Sequence, residues 1–128
     1  METEFSVKLP DKPGEFARLT EALHKDGINI RTISTESKAP KGEIVRLVTD
    51  HPVKSREALK RVDMEFSERN LLVAKLEDKP GELARITKEL AKEGINIDAA
   101  YMFDKDSKHV HVALAVSDEE KAKNVLKL

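Results

Sequence analysis

The sequence states one segment twice. Asp11–Ile30 reads DKPGEFARLTEALHKDGINI and Asp78–Ile97 reads DKPGELARITKELAKEGINI, with fourteen of the twenty positions identical. The differences are mostly mild, such as Phe16 for Leu83, Leu19 for Ile86 and Asp26 for Glu93. An ungapped offset of 67 aligns residues 3–61 with 70–128 and keeps 23 identities in 59 positions. Such a period is too long for a solenoid unit and suits a small domain. The chain therefore reads as two copies of one fold, residues 1–68 and 69–128. The most faithfully kept pieces are a strand-to-helix turn, DKPGE, and a helix end, GINI. Repetition of turns rather than of reactive side chains points to a binding site built from backbone.

A domain of this size buries a modest share of its surface and is marginal alone. The halves are expected to pack on each other or on another chain. The 23 Lys and Arg are interspersed with 24 Asp and Glu, for a net charge of −1. That makes a solvated surface rather than a basic footprint, and it argues against a nucleic-acid binder. There is no cysteine, which excludes disulfides, thiolate zinc sites and cysteine nucleophiles. Glutamine is absent while Lys and Glu abound, a bias seen in hyperthermophile proteins, so an origin in a hot environment is expected. No apolar run approaches the ~18 residues needed to span a membrane. Met1–Pro10 has no signal-peptide pattern. A soluble, cytoplasmic protein is expected.

Within the first copy, Thr3–Leu9 alternates with Phe5, Val7 and Leu9 on one face, the pattern of a strand. Pro13 is acceptable in a first helical turn, and Glu15 there suits the helix dipole. Phe16, Leu19, Ala22 and Leu23 recur at helical spacing, and Gly27 ends the helix. Ile28–Ser37 is a second strand, Ala39–Gly42 a turn, and Glu43–Asp50 a third strand. His51-Pro52 opens a second helix with Ala58, Leu59 and Val62 as its apolar stripe, and Met64–Glu68 is a brief fourth strand. The order β-α-β-β-α-β with right-handed crossovers gives an antiparallel sheet with both helices on one face. The fold class is α+β, ferredoxin-like.

The second copy follows with strands at Asn70–Leu76, Ile95–Phe103 and His109–Val116. Its helices fall at Pro80–Glu93 and Asp118–Leu128, and Asp104–Lys108 makes its turn. The sequence ends before a counterpart of Met64–Glu68, so the second copy is expected to lack its fourth strand. Its first strand would then be an open edge for a neighbouring segment or a second chain to cover.

With DKPGE followed by GINI on a β-α-β frame of this length, occurring twice in one register, the chain resembles the ACT domain family over its whole length. ACT domains are small regulatory modules, typically for amino acids, attached to or partnering enzymes of amino-acid metabolism. The resemblance implies a ligand held by the turn before the first helix, here Asp11, Lys12, Pro13 and Gly14, and Asp78, Lys79, Pro80 and Gly81. It implies a further contact from the asparagine of each GINI segment, Asn29 and Asn96. Ligands in such proteins usually sit between one unit's turn and a neighbour's second strand. Where some members carry a histidine two residues before the turn's first polar residue, this chain has Leu9 and Leu76, which favours a more apolar amino acid.

Physical reasoning supports such a site. Helix N-termini offer amides and partial positive charge to a carboxylate, and Gly14 and Gly81 permit close approach. Asn29 and Asn96 supply both a donor and an acceptor, and Asp11 and Asp78 could take an ammonium. A structural reading stands beside it, because Pro-Gly turns and asparagines after a helix cap are also kept by folding alone.

Other chemistries fare worse. His109 and His111 share a strand face as a metal pair could, but the sequence places no third ligand beside them. The chain has only five aromatics, too few on the central strands for RNA stacking. No catalytic triad, paired-carboxylate motif or Walker-type loop is present. The expectation is a cofactor-free, non-catalytic sensor of an amino acid, a homodimer by default, acting on an amino-acid biosynthetic enzyme in trans. A regulator of transcription acting through another protein, and a ligand-free dimerisation module, remain alternatives.

Overall fold

The computed structural model describes residues 1–37 and 42–128. The turn expected at Ala39–Gly42 lies largely outside them. The elements are β1 (Glu2–Leu9), α1 (Glu15–Lys25), β2 (Ile30–Ser37), β3 (Glu43–Thr49), α2 (Pro52–Arg61), β4 (Glu65–Glu77), α3 (Glu82–Lys92), β5 (Ile97–Phe103), β6 (His109–Val116) and α4 (Glu119–Leu126). They form two compact units, one of Thr3–Arg69 and one of Asn70–Leu128 with Met1–Glu2.

In the first unit the strands run in the order β2-β3-β1-β4, with β1 and β2 both antiparallel to β3. Phe5, Val7 and Leu9 alternate inward as their spacing requires and meet Val45 and Leu47 of β3. Leu19 and Leu23 of α1 and Ala58 and Leu59 of α2 close the core. The second unit has the order β4-β6-β5, both pairs antiparallel. Its core joins Leu72, Ala74 and Leu76 to Val110, Val112 and Leu114 beneath Ile86, Leu90 and Ala122 of the helices. This is the α+β arrangement expected, with three strands in the second unit.

The structure corrects three boundaries. The short strand at Met64–Glu68 and the strand at Asn70–Leu76 are one unbroken strand, β4. Its first residues are held by two bidentate ion pairs. Arg69 meets the buried Glu4 at 2.6 and 3.2 Å, and Arg56 of α2 meets Glu68 at 2.7 Å through both nitrogens. The second strands start at Ile30 and Ile97, two residues later than the apolar pattern suggests. Ile28 and Ile95 belong instead to the helix ends, where their amides bond the carbonyls of Leu23 and Leu90 while Gly27 and Gly94 bond those of His24 and Ala91. These are the paired bonds of a Schellman cap. The helices α1 and α3 start at Glu15 and Glu82, not at the prolines, for a reason given below. No helix among the described residues is long and apolar enough to cross a membrane.

His51 has a role its sequence context did not reveal. It is the N-cap of α2, and its Nδ1 accepts the Lys54 amide at 3.2 Å. Asp118, its counterpart at the offset of 67, caps α4 by accepting the Lys121 amide. His51→Ala is expected to lower unfolding free energy by about 1 kcal/mol in urea denaturation, whereas His51→Asp should restore it. Equal stability of the two variants would contradict the capping role.

Candidate functional site

Both DKPG turns have the same backbone. The Lys12 amide bonds the Pro10 carbonyl at 3.0 Å and the Arg18 amide bonds the Gly14 carbonyl at 2.9 Å; Lys79 to Glu77 and Arg85 to Gly81 repeat the two distances. Gly14 and Gly81 sit at φ 91° and 92°. That left-handed geometry is cheap only for glycine and cannot be helical, so each helix begins one residue later. Pro13 and Pro80 therefore shape the turn rather than the first helical turn. Neither glycine offers a side chain to cap its helix.

Acidic residues follow at once. Glu15 is nearly buried, with Arg18 Nε at 3.0 Å and Lys12 Nζ at 3.7 Å. The Arg18 hydrogen bond holds the Glu15 carboxyl below its ordinary value against the opposing effect of burial. Arg18 also donates from Nη1 to the Val62 carbonyl at 2.8 Å, tying the start of α1 to the end of α2. Glu82 and Arg85 repeat the first pairing at 3.2 Å.

A cavity opens beside each turn. In the first unit it measures about 440 Å³ and is lined by Lys8, Leu9, Pro10, Asp11, Lys12, Gly42 and Glu65. In the second unit it measures about 310 Å³ and is lined by Glu77, Asp78, Lys79, Lys108 and His109. The offset of 67 carries Pro10, Asp11, Lys12 and Gly42 onto Glu77, Asp78, Lys79 and His109. The two cavities thus occupy the same place in each copy, between the turn and the start of the third strand. Each mixes ammonium and carboxylate groups, a set able to meet both ends of a zwitterion.

Of the residues singled out in the sequence, Asp11, Lys12, Asp78 and Lys79 line these cavities. Pro13, Gly14, Pro80 and Gly81 set the turns without lining them. Asn29 and Asn96 are not brought together with the turn of their own unit. They lie at the far end of helices of 11 residues, about 16 Å long at 1.5 Å per residue. There the Asn29 amide bonds Asp50 Oδ1 at 3.0 Å and its carbonyl takes the Asp50 amide at 3.0 Å. Asn96 does the same with Ser117, and its Nδ2 donates to Asp98 Oδ1 at 2.8 Å. The main chain of each asparagine thus has a structural use, while both side chains remain at the surface.

The histidines of β6 are used locally. His111 Nδ1 lies 3.2 Å from the Asp104 carbonyl, with its ring tilted against Phe103, and His109 Nδ1 lies 3.8 Å from Asp106. Among the described residues no group of three or more His, Asp or Glu is placed to hold a metal. Sequence reasoning missed Gly42, His109 and Glu65 as cavity residues. The repeat register could have found the first two, since the third strand begins opposite the turn, with Leu9 facing Glu43 and Glu77 facing His109.

The ACT domain family model matches residues 3–62 and 70–128. No curated protein matches the chain. Among solved structures, protein BT0572 from Bacteroides thetaiotaomicron is similar at a TM-score of 0.90 and 27% identity, covering 98% of this chain and 85% of that one. The regulatory subunit of aspartate kinase from Thermus thermophilus, in a ligand-free form, is similar at 0.71 and 20%, covering 98% and 88%. The corresponding subunit from Thermus flavus gives 0.66 and 20%, with the same coverage.

The loop beside the second cavity has a pH signature. Asp106 Oδ1 accepts the amides of Lys108 and His109 at 2.7 Å each, and these bonds hold its carboxyl below the ordinary value. Lys79 does the same for Glu77. A carboxyl with a depressed folded pKa stabilises the fold above its unfolded pKa, and that stability is lost as pH falls through the folded one. Melting temperature should therefore fall as pH drops below the ordinary carboxylate value of about 4. In Asp106→Asn this acid limb should be shallower; an unchanged limb would contradict the assignment.

Proposed function

We propose, on the premise that this chain belongs to the ACT domain family, that it is a non-catalytic regulatory protein of the cytoplasm that binds a small amino acid at its Pro-Gly turns. The observation that carries this reading is the recurrence of one cavity at the same place in both copies, each with ammonium and carboxylate groups on a shared backbone frame. A ligand carboxylate would meet Lys12 or Lys79, and its ammonium would meet Asp11 or Asp78. Pro10 gives the first cavity an apolar wall suited to an aliphatic side chain.

Asn29 and Asn96 lie a helix length from their own unit's turn, so they would serve a turn supplied by a second chain. A homodimer would supply such a turn. Ligand bound across such a junction favours one relative orientation of the chains, and a partner that distinguishes orientations responds. The likeness in fold to regulatory subunits of aspartate kinase makes an amino-acid biosynthetic enzyme a natural partner in trans.

A thermal-shift screen of the intact protein against the twenty amino acids tests this reading. At least one should raise the melting temperature, with a stabilisation of roughly 2.7 kcal/mol at a hundredfold excess over its dissociation constant. Asn29→Ala or Asn96→Ala should reduce the shift. Twenty blanks would contradict ligand binding and leave a structural dimerisation module.

A further inference from the structure

The two copies serve as controls for one another, because the same backbone turn carries different side chains around its cavity. In the second unit those side chains satisfy each other. Lys79 Nζ lies 2.8 Å from Glu77 Oε2, and the contact holds the carboxyl below and the ammonium above their ordinary values. Asp78 Oδ2 lies 3.0 Å from Lys105 Nζ. The cation that would meet a ligand carboxylate and the carboxylate that would meet a ligand ammonium each already have a partner of opposite charge. His109 stands in the cavity wall.

The first unit differs at two of these positions, while Lys38, the counterpart of Lys105, lies outside the described residues. Pro10 replaces Glu77 and has no group to hold Lys12, whose nearest carboxylate is Glu15 at 3.7 Å. Gly42 replaces His109. A Cβ at Gly42 would lie 3.1 Å from the Leu9 carbonyl, and Gly42 sits at φ 102°, so a side chain there would be strained. The first residue of β4, Glu65, supplies a further wall and sits 3.5 Å from Lys8, with both side chains largely exposed. The two cavities measure about 440 and 310 Å³.

We propose that the chain holds one amino acid, at the first turn only, and that the ion pairs of the second turn engage the groups a ligand would need there. This rests on the amino-acid-binding reading above and assigns its site. Lys12 meets the ligand carboxylate, Asp11 its ammonium, and Pro10 offers the apolar contact for its side chain.

Isothermal titration of the intact chain with each of the twenty amino acids tests the assignment. For any that binds, the stoichiometry should be one per chain. Lys12→Ala should weaken binding at least tenfold, and Pro10→Glu, which installs the second copy's device for engaging the lysine, should do the same without changing the melting temperature of the free protein. Glu77→Ala should leave affinity within twofold. Two equivalents per chain overturn the assignment while sparing amino-acid binding, as does a tenfold loss in Lys79→Ala with none in Lys12→Ala. Failure of the unmodified protein to bind any of the twenty overturns both.

Discussion

A glycine held near φ +90° in each strand-to-helix turn is the constraint on which the arrangement rests. It stops the helix from starting at the proline and aims the helix back across the sheet. It also leaves the helix without a side-chain cap. An ordinary L-residue there would carry a strain of about 1–2 kcal/mol, a large part of what a domain this small can spare. The cavity exists because the chain turns there, and the helix packs on β1 and β3 because of where it starts. Folding and the candidate site therefore draw on one backbone feature. That is why the turn is repeated nearly unchanged while the strands around it have diverged.

Divergence around a constant turn is informative in itself. Glu77 gives the second copy an ion pair that Pro10 cannot make in the first, and His109 puts a side chain in the cavity wall where Gly42 has none. Two copies that began with the same binding capacity need not both retain it. A regulatory protein needs one reporting site and a rigid frame against which its occupancy registers. A turn with ion pairs of its own, as in the second copy, would supply such a frame.

Much of the fold was legible because its signals are local. Alternation at Phe5, Val7 and Leu9, the helical spacing of Leu19 and Leu23, and the glycine after each helix are set within a few residues. The continuity of β4 was not legible. The polar run from Ser67 to Asn70 reads as a break in the apolar pattern, and the partners that keep it extended, Glu4 and Arg56, lie 65 and 12 residues away. The cap at His51 was missed because histidine is not a usual N-cap, though Asp118 in the other copy pointed to it. For the site, residue types were readable and distances were not. The helix between Gly14 and Asn29 was readable; that Glu65 of β4 would line a cavity with Lys12 was not.

The most direct test of a backbone-built amino-acid site is a residue-resolved amide titration by NMR, with any amino acid that stabilises the protein. The account predicts that the largest shifts fall on the amides from Asp11 to Glu15 and at Gly42, with those from Asp78 to Glu82 nearly still. Shifts centred elsewhere, on the helix faces or on β6, would contradict it.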